Sequence, residues 1–139
     1  SRSDVVAAYH AADLFIFGSN IECSPLVLFE AMASRTPFVT LSCGNASEIV
    51  DWGKGGVITP TIERFKGSVD ADPNAMASSI EELIKNPDEM QKLGEAGYSA
   101  WKDRFRCERI ALEYERLYKS LLDREYASYS RNNFMTIKL

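Results

Sequence analysis

Two acidic side chains bracket a helix-start signal in the first quarter of the chain. Glu22 precedes the pair Ser24-Pro25, and Glu30 follows it. Serine is a common N-cap and proline suits the first helical position, so we predict that Ser24 caps a helix whose first residue is Pro25. The unpaired amides and partial positive charge of such a helix start favour an anion without any lysine or arginine.

The spacing of these residues suits a ligand that joins a diphosphate to sugars. Glu30 lies about 7 Å beyond Pro25 along a helix axis, which is the reach from a pyrophosphate to an adjoining ribose. A carboxylate there can accept hydrogen bonds from both hydroxyls of a cis-diol, and Glu22 can accept from a sugar on the outer phosphate. Spacing alone leaves a plainer interpretation open, in which Glu30 is a solvated helix residue and Glu22 a loop acid.

The pattern around these residues predicts alternating strands and helices. A continuous apolar run at 14–17 is typical of a strand buried on both faces, and it is followed by a helix at 26–34 and a second strand at 38–41. A short helix at 46–52 and a strand at 57–59 come next. This order favours right-handed parallel crossovers in a doubly wound α/β sheet.

In such sheets, ligands bind at the carboxyl ends of the strands, which here are the loops 18–24 and 42–47. Residues 60–71 have no firm period, so we predict a loop there. From residue 72 onward the period is helical, with a break at Asn86-Pro87. The sequence therefore predicts a partial sheet followed by C-terminal helices.

Composition excludes several classes of protein. The 139 residues carry 16 basic and 20 acidic side chains, a net charge of −4, which argues against a nucleic-acid partner. The longest apolar runs are far too short to cross a bilayer. Three widely spaced cysteines and a single histidine, His10, indicate neither a disulfide framework nor a metal site. We therefore expect a cytoplasmic protein without a metal or cofactor.

The segment ECSPLVLFE at 22–30 closely resembles the Glu-x7-Glu motif of the retaining GT-B glycosyltransferases, the large family 4 group. The surrounding segments follow the order of that group, and the resemblance covers residues 4–121. These segments are 9–13, 19–33, 36–39, 44–50, 55–56, 104–106 and 114–118. One departure is Asn45, which stands where many relatives have a second glycine.

The resemblance implies a fold and a set of roles. The fold would be a partial Rossmann-like parallel sheet, the second half of a GT-B C-terminal domain. Glu22 would be the catalytic residue that orients the donor sugar and stabilises charge, and Glu30 would bind the ribose. Backbone amides in the stretch Ser24, Pro25, Leu26 and Val27 would contact the diphosphate and sugar. The reaction would be metal-independent transfer from a nucleotide-diphosphate sugar with retention.

The resemblance also implies a larger protein. We expect residues 1–139 to be one truncated nucleotide-sugar-binding domain, with 125–139 a disordered segment or tail. The partner would be an N-terminal acceptor domain of the same protein, without which the chain is inactive, and the full-length protein could lie at the periphery of a membrane. Two alternatives stay open: a non-catalytic nucleotide-sugar-binding or interaction module, and a sugar-nucleotide epimerase of the GT-B fold.

Overall fold

Three short apolar runs become the strands of a parallel sheet in the computed structural model, which describes residues 1–64 and 68–133, with side chains up to residue 123. The strands β1, β2 and β3 lie in that order, with Phe15 aligned to Phe38 and Phe38 to Gly56. The predicted strand–helix–strand order is confirmed. The elements of this part are α1 (Arg2–Ala11), β1 (Phe15–Phe17), α2 (Leu26–Ala33), β2 (Phe38–Thr40), α3 (Ala46–Gly53) and β3 (Gly56–Ile58).

The first strand is less buried than its sequence predicts. All three residues of β2 are buried, but in β1 the side chain of Ile16 is 47% exposed. Among the described residues, β1 is the edge of the sheet, and successive side chains of a strand point to opposite faces. Phe15 and Phe17 stack with each other on one face, which leaves Ile16 on the other. The prediction of burial on both faces is therefore wrong for β1.

A second small sheet occupies the stretch that the sequence predicts to be a loop. Strands β4 (Thr61–Glu63) and β5 (Val69–Ala71) pair antiparallel, so the prediction for 60–71 is wrong. Three-residue strands are too short to show a period of two. The pair is anchored instead by distant contacts, since Val69 is 5% exposed and packs in a cluster with Leu41 and Cys43.

Two helices complete the first compact unit, Ser1–Asp103. They are α4 (Pro73–Ile84) and α5 (Pro87–Ala100), and each begins with a proline after a capping Asp72 or Asn86. The predicted break at Asn86-Pro87 is confirmed. Proline preorganises the first turn, and the preceding side chain accepts from the free amides.

The end of α2 is attached to α5 by an arginine in a left-handed conformation. Arg35 has φ +57°, a conformation in which glycine is usual. Its guanidinium carbon lies 3.6 Å from the centre of the Tyr98 ring, and its Nε is 3.2 Å from a carboxylate oxygen of Glu95. The side-chain contacts offset the backbone strain, which is about 1–2 kcal/mol for a residue other than glycine.

The second compact unit, Arg104–Leu139, contains helix α6 (Cys107–Asn133). A π-helical turn, Trp101–Phe105, precedes it. The predicted C-terminal helix is confirmed. The apolar side chains that recur along one face of α6 are between 39% and 59% exposed, at Ile110, Tyr114, Leu117, Tyr118 and Leu121.

The tail predicted for 125–139 stays a prediction. The backbone up to Asn133 continues α6, and 134–139 lie outside the described residues. No helix in the described part of the chain has an apolar stretch of the length that crossing a bilayer requires.

The close approach of α5 to the sheet predicts a loss of stability on a small substitution. An alanine Cβ at Gly97 would lie 2.9 Å from the Cα of Gly55 and 3.2 Å from Cγ of Met32. We expect Gly97→Ala to lower the free energy of unfolding by about 1–3 kcal/mol, measured by chemical denaturation. The control is Ser99→Ala at an exposed position of the same helix, and equal stability of the two variants would contradict the packing described.

Candidate functional site

The loops that follow β1 and β2 are joined through their backbones. The amide of Asn45 donates a hydrogen bond of 3.1 Å to the carbonyl of Cys23. Gly44 has φ +55°, and a Cβ on it would lie 2.6 Å and 2.7 Å from the carbonyl oxygens of Cys23 and Glu22. Only glycine permits both this conformation and this approach. The two predicted loops therefore form one continuous surface at the carboxyl ends of the strands.

Helix α2 begins at Leu26, where the predicted range 26–34 begins, but its cap differs from the prediction. Its N-cap is Pro25, with φ −73° and ψ 96°, and no side chain caps it. The prediction that Ser24 caps the helix is wrong, because the extended Pro25 separates Ser24 from the first turn. The amides of Leu26 and Val27 have no acceptor within a helix that starts there.

Glu22 lies in the first loop, partly exposed, beside Gly44. Its charge also acts on the second loop. Burial raises the pKa of the Cys43 thiol, and the nearby Glu22 carboxylate raises that pKa further. Cys43 has no exposed surface and belongs to the apolar cluster beneath the loops. Glu22 therefore lies where the two loops meet.

Glu30 lies farther along α2 and faces α1. Its side chain is 29% exposed, and Oε1 is 2.8 Å from Nη1 of Arg2. Burial raises the pKa of Tyr9, and the nearby negative charge of Glu30 raises that pKa further. Glu30 thus pairs with Arg2 on α1 and is not a freely solvated helix residue. The predicted residues Glu22 to Val27 are contiguous at the strand ends, and Glu30 extends the site along α2.

A hydrogen-bonded support that the sequence does not reveal holds the first loop. Asn20 accepts a 3.0 Å hydrogen bond from the amide of Val69 and donates one of 3.2 Å from Nδ2 to Asp70. The other oxygen of Asp70 is 2.6 Å from Nε of Arg64. These partners are far apart in the sequence and carry no local signal. The β4–β5 pair therefore positions the residues that precede Glu22.

The chemistry of this surface follows from its donors and acceptors. Helix-start amides bind anions, and carboxylates that only accept hydrogen bonds bind hydroxyl groups. Within residues 1–64 and 68–123, no three histidine, cysteine or acidic side chains are grouped so that they could hold a metal ion. The arrangement is suited to an anion flanked on both sides by polyols.

The junction of the loops predicts that Gly44 is intolerant of a side chain. Gly44→Ala adds a strained conformation and a collision with two carbonyl groups, so we expect the free energy of unfolding to fall by about 2 kcal/mol or more. Hydrogen exchange at the Asn45 amide would accelerate. Gly18→Ala is the matched control, since a Cβ at Gly18 meets nothing within 4 Å. Equal exchange at Asn45 in both variants would show that the loops are not held together here.

The environment of Cys43 predicts selective thiol chemistry. Because the thiolate is the nucleophile, we expect iodoacetamide at about pH 8 to alkylate the exposed Cys23 and Cys107 and to spare Cys43. The thiol of Cys43 ionises at a lower pH in the unfolded chain than in the folded chain. The contribution of Cys43 to the free energy of unfolding therefore falls as the pH rises past the pKa of an ordinary, unfolded cysteine. Peptide mapping measures the alkylation, with a guanidinium-unfolded sample as the control. Modification of Cys43 at the rate of Cys23 in the folded chain would contradict its burial.

Comparison with known proteins adds to this geometry. Residues 1–100 match the family model described as Glycosyl transferases group 1. A probable sucrose-phosphate synthase from Thermosipho melanesiensis is 30% identical over 118 residues, which are 82% of this chain and 25% of that protein. A D-inositol 3-phosphate glycosyltransferase from Corynebacterium urealyticum is 32% identical over 120 residues, which are 85% of this chain and 26% of that protein.

Solved structures show the same fold. The sucrose-phosphate synthase of Thermosynechococcus elongatus matches with a TM-score of 0.71 and 29% identity, over 86% of this chain and 28% of that chain. The C-terminal domain of a group 1 glycosyl transferase from Francisella tularensis matches with a TM-score of 0.61 and 20% identity, over 77% of this chain and 50% of that chain. The predicted partial Rossmann-like sheet is confirmed. The chain spans about a quarter of the length of these curated relatives.

Proposed function

The chain belongs to the glycosyl transferases group 1 family, and on that premise we propose that it binds the nucleotide-diphosphate sugar of a retaining glycosyltransferase. The uncapped start of α2 between Glu22 and Glu30 carries this proposal. A diphosphate would lie at the amides of Leu26 and Val27. The donor sugar and the ribose would lie on opposite sides of it.

The helix start supplies stabilisation that grows during the reaction. As the bond between the anomeric carbon and the diphosphate breaks, negative charge accumulates on the leaving group. Amides and a helix dipole already directed at that position need not reorganise, so they stabilise the transition state more than the ground state. Pro25 has no amide hydrogen of its own, and no side chain caps the helix that follows it.

The two carboxylates would hold the sugars. Glu22 would accept from hydroxyls of the donor sugar and stabilise the positive charge that develops at the anomeric carbon. Glu30 would accept from both hydroxyls of the ribose. The family resemblance supports transfer with retention and without a metal ion. The groups of this chain that would take part are the two carboxylates and the helix-start amides.

The rest of the enzyme would come from elsewhere in the same protein. The chain spans about a quarter of the relatives that it matches, so we propose that an N-terminal domain binds the acceptor and that the chain has no turnover alone. We further propose a cytoplasmic location, at the periphery of a membrane if the acceptor is membrane-bound. The relatives' names include a sucrose-phosphate synthase and an inositol-phosphate glycosyltransferase, so the donor has to be identified by experiment.

Substitution of the carboxylates tests the proposal in the full-length protein. A thermal-stabilisation screen of UDP-, GDP- and ADP-sugars first selects the donor, because a bound ligand raises the melting temperature. With that donor we expect Glu22→Ala and Glu30→Ala each to lower kcat/KM at least about tenfold, the effect of losing roughly 1.4 kcal/mol of charged hydrogen bonding.

The control for both variants is Glu82→Ala, which removes an exposed acid from α4. We expect it to retain the wild-type kcat/KM. Unchanged kcat/KM in both Glu22→Ala and Glu30→Ala would reject the assignment. Saturable donor binding by the wild-type protein without any sugar transfer would favour the binding-module alternative.

A further inference from the structure

The carboxylate of Glu30 is held from a second helix. Arg2, on α1, places Nη1 2.8 Å from Oε1 of Glu30 on α2, across 28 positions of sequence. Arg2 and Tyr9 are seven positions apart, which places them on one face of α1. The hydroxyl of Tyr9 donates a 3.4 Å hydrogen bond to the carbonyl of Val27. This face of α1 therefore contacts both Glu30 and the first turn of α2.

The position of α1 is fixed by contacts other than the ion pair. Oγ1 of Thr36 donates a 2.8 Å hydrogen bond to the carbonyl of Tyr9. The ring of Tyr9 meets Phe15 edge-on, with 5.3 Å between the ring centres. These contacts hold the C-terminal end of α1, and Arg2 lies at its N-terminal end. The ion pair between Arg2 and Glu30 is therefore not needed to hold α1 in place.

We propose that Arg2 is a positioning residue that holds the Glu30 carboxylate in the orientation that accepts the two ribose hydroxyls. This inference rests on the proposed function. A glutamate side chain has several rotatable bonds, and fixing them on binding costs free energy that a preformed contact avoids. An ionised carboxylate has about four acceptor sites, so one bond to Arg2 leaves room for a diol. The 29% exposure of the Glu30 side chain leaves a face of it open.

An opposite role for Arg2 is to mask Glu30, so that the donor has to displace it. The geometry favours positioning. Nη1 of Arg2 donates to one oxygen of Glu30, Oε1, and the Arg2 side chain is 73% exposed. The contact therefore restrains the carboxylate without enclosing it. The two roles predict opposite effects when the guanidinium is removed.

The experiment uses the full-length protein and nucleotides that differ only in the ribose hydroxyls. Titration calorimetry gives the Kd of UDP, GDP and ADP, and the tightest of them is compared with its 2′,3′-dideoxy form. We expect Arg2→Ala to weaken binding of the ribonucleotide about threefold, the effect of losing an exposed charge pair. Binding of the dideoxynucleotide would not change. Arg2→Lys, which keeps a point charge, would recover part of the loss.

Two further variants distinguish a failure of the role proposed for Arg2 from a failure of the proposed function. Arg109→Ala breaks a surface pair with Glu113 on α6 and should leave both nucleotides unaffected. Glu30→Ala should abolish the preference for the ribonucleotide. If Glu30→Ala does so and Arg2→Ala leaves the preference intact, the positioning role is wrong and the proposed function stands.

If Glu30→Ala keeps the preference for the ribonucleotide, the ribose assignment fails and the positioning role fails with it. Tighter ribonucleotide binding by Arg2→Ala would establish masking and overturn the inference. An equal loss for both nucleotides in Arg2→Ala would show a general structural effect and would also overturn it.

Discussion

One backbone hydrogen bond, from the amide of Asn45 to the carbonyl of Cys23, joins the two loops on which the proposed donor site depends. Parallel strands bring their carboxyl ends to the same edge of a sheet, but they do not by themselves fix the loops beyond those ends. Here Gly44 lies directly against the carbonyl groups of Glu22 and Cys23. The position of Glu22 relative to the start of α2 therefore depends on a residue of the following crossover. The β4–β5 pair supports the same loop from its other side, at Asn20.

The net charge of −4 does not conflict with a doubly anionic ligand. A diphosphate at this surface would meet backbone amides, whose number is independent of side-chain composition. Acidic side chains on either side can then serve as acceptors for hydroxyl groups. In the proposed function, the main chain of α2 would stabilise the charge of the diphosphate, and the side chains of Glu22 and Glu30 would recognise the sugars. Arg2 adds a local positive charge beside Glu30.

The sequence predicted the parts of the fold that local patterns control. The apolar run of β2, the crossover helix α2 and the proline-initiated α4 and α5 all follow from composition and spacing, and the motif selects the residues of the candidate site. What failed depended on distant neighbours. Ile16 is exposed because β1 is the edge of the described sheet, and β4 and β5 pair because Val69 reaches the cluster around Leu41. Ser24 has the right chemistry for a cap, but the extended Pro25 places it one residue too early. Arg2 was not anticipated because its partner is 28 positions away.

The left-handed Arg35 has a consequence for how this sequence can change over time. Its conformation is unfavourable on its own, and the stacking on Tyr98 and the pairing with Glu95 offset that cost. Loss of Tyr98 would leave the arginine with its strain and less compensation, and glycine would then be the better residue at position 35. Conversely, a glycine at position 35 would release Tyr98 and Glu95 from this constraint. The three positions are thus expected to covary, with arginine, tyrosine and glutamate gained or lost together among close homologues.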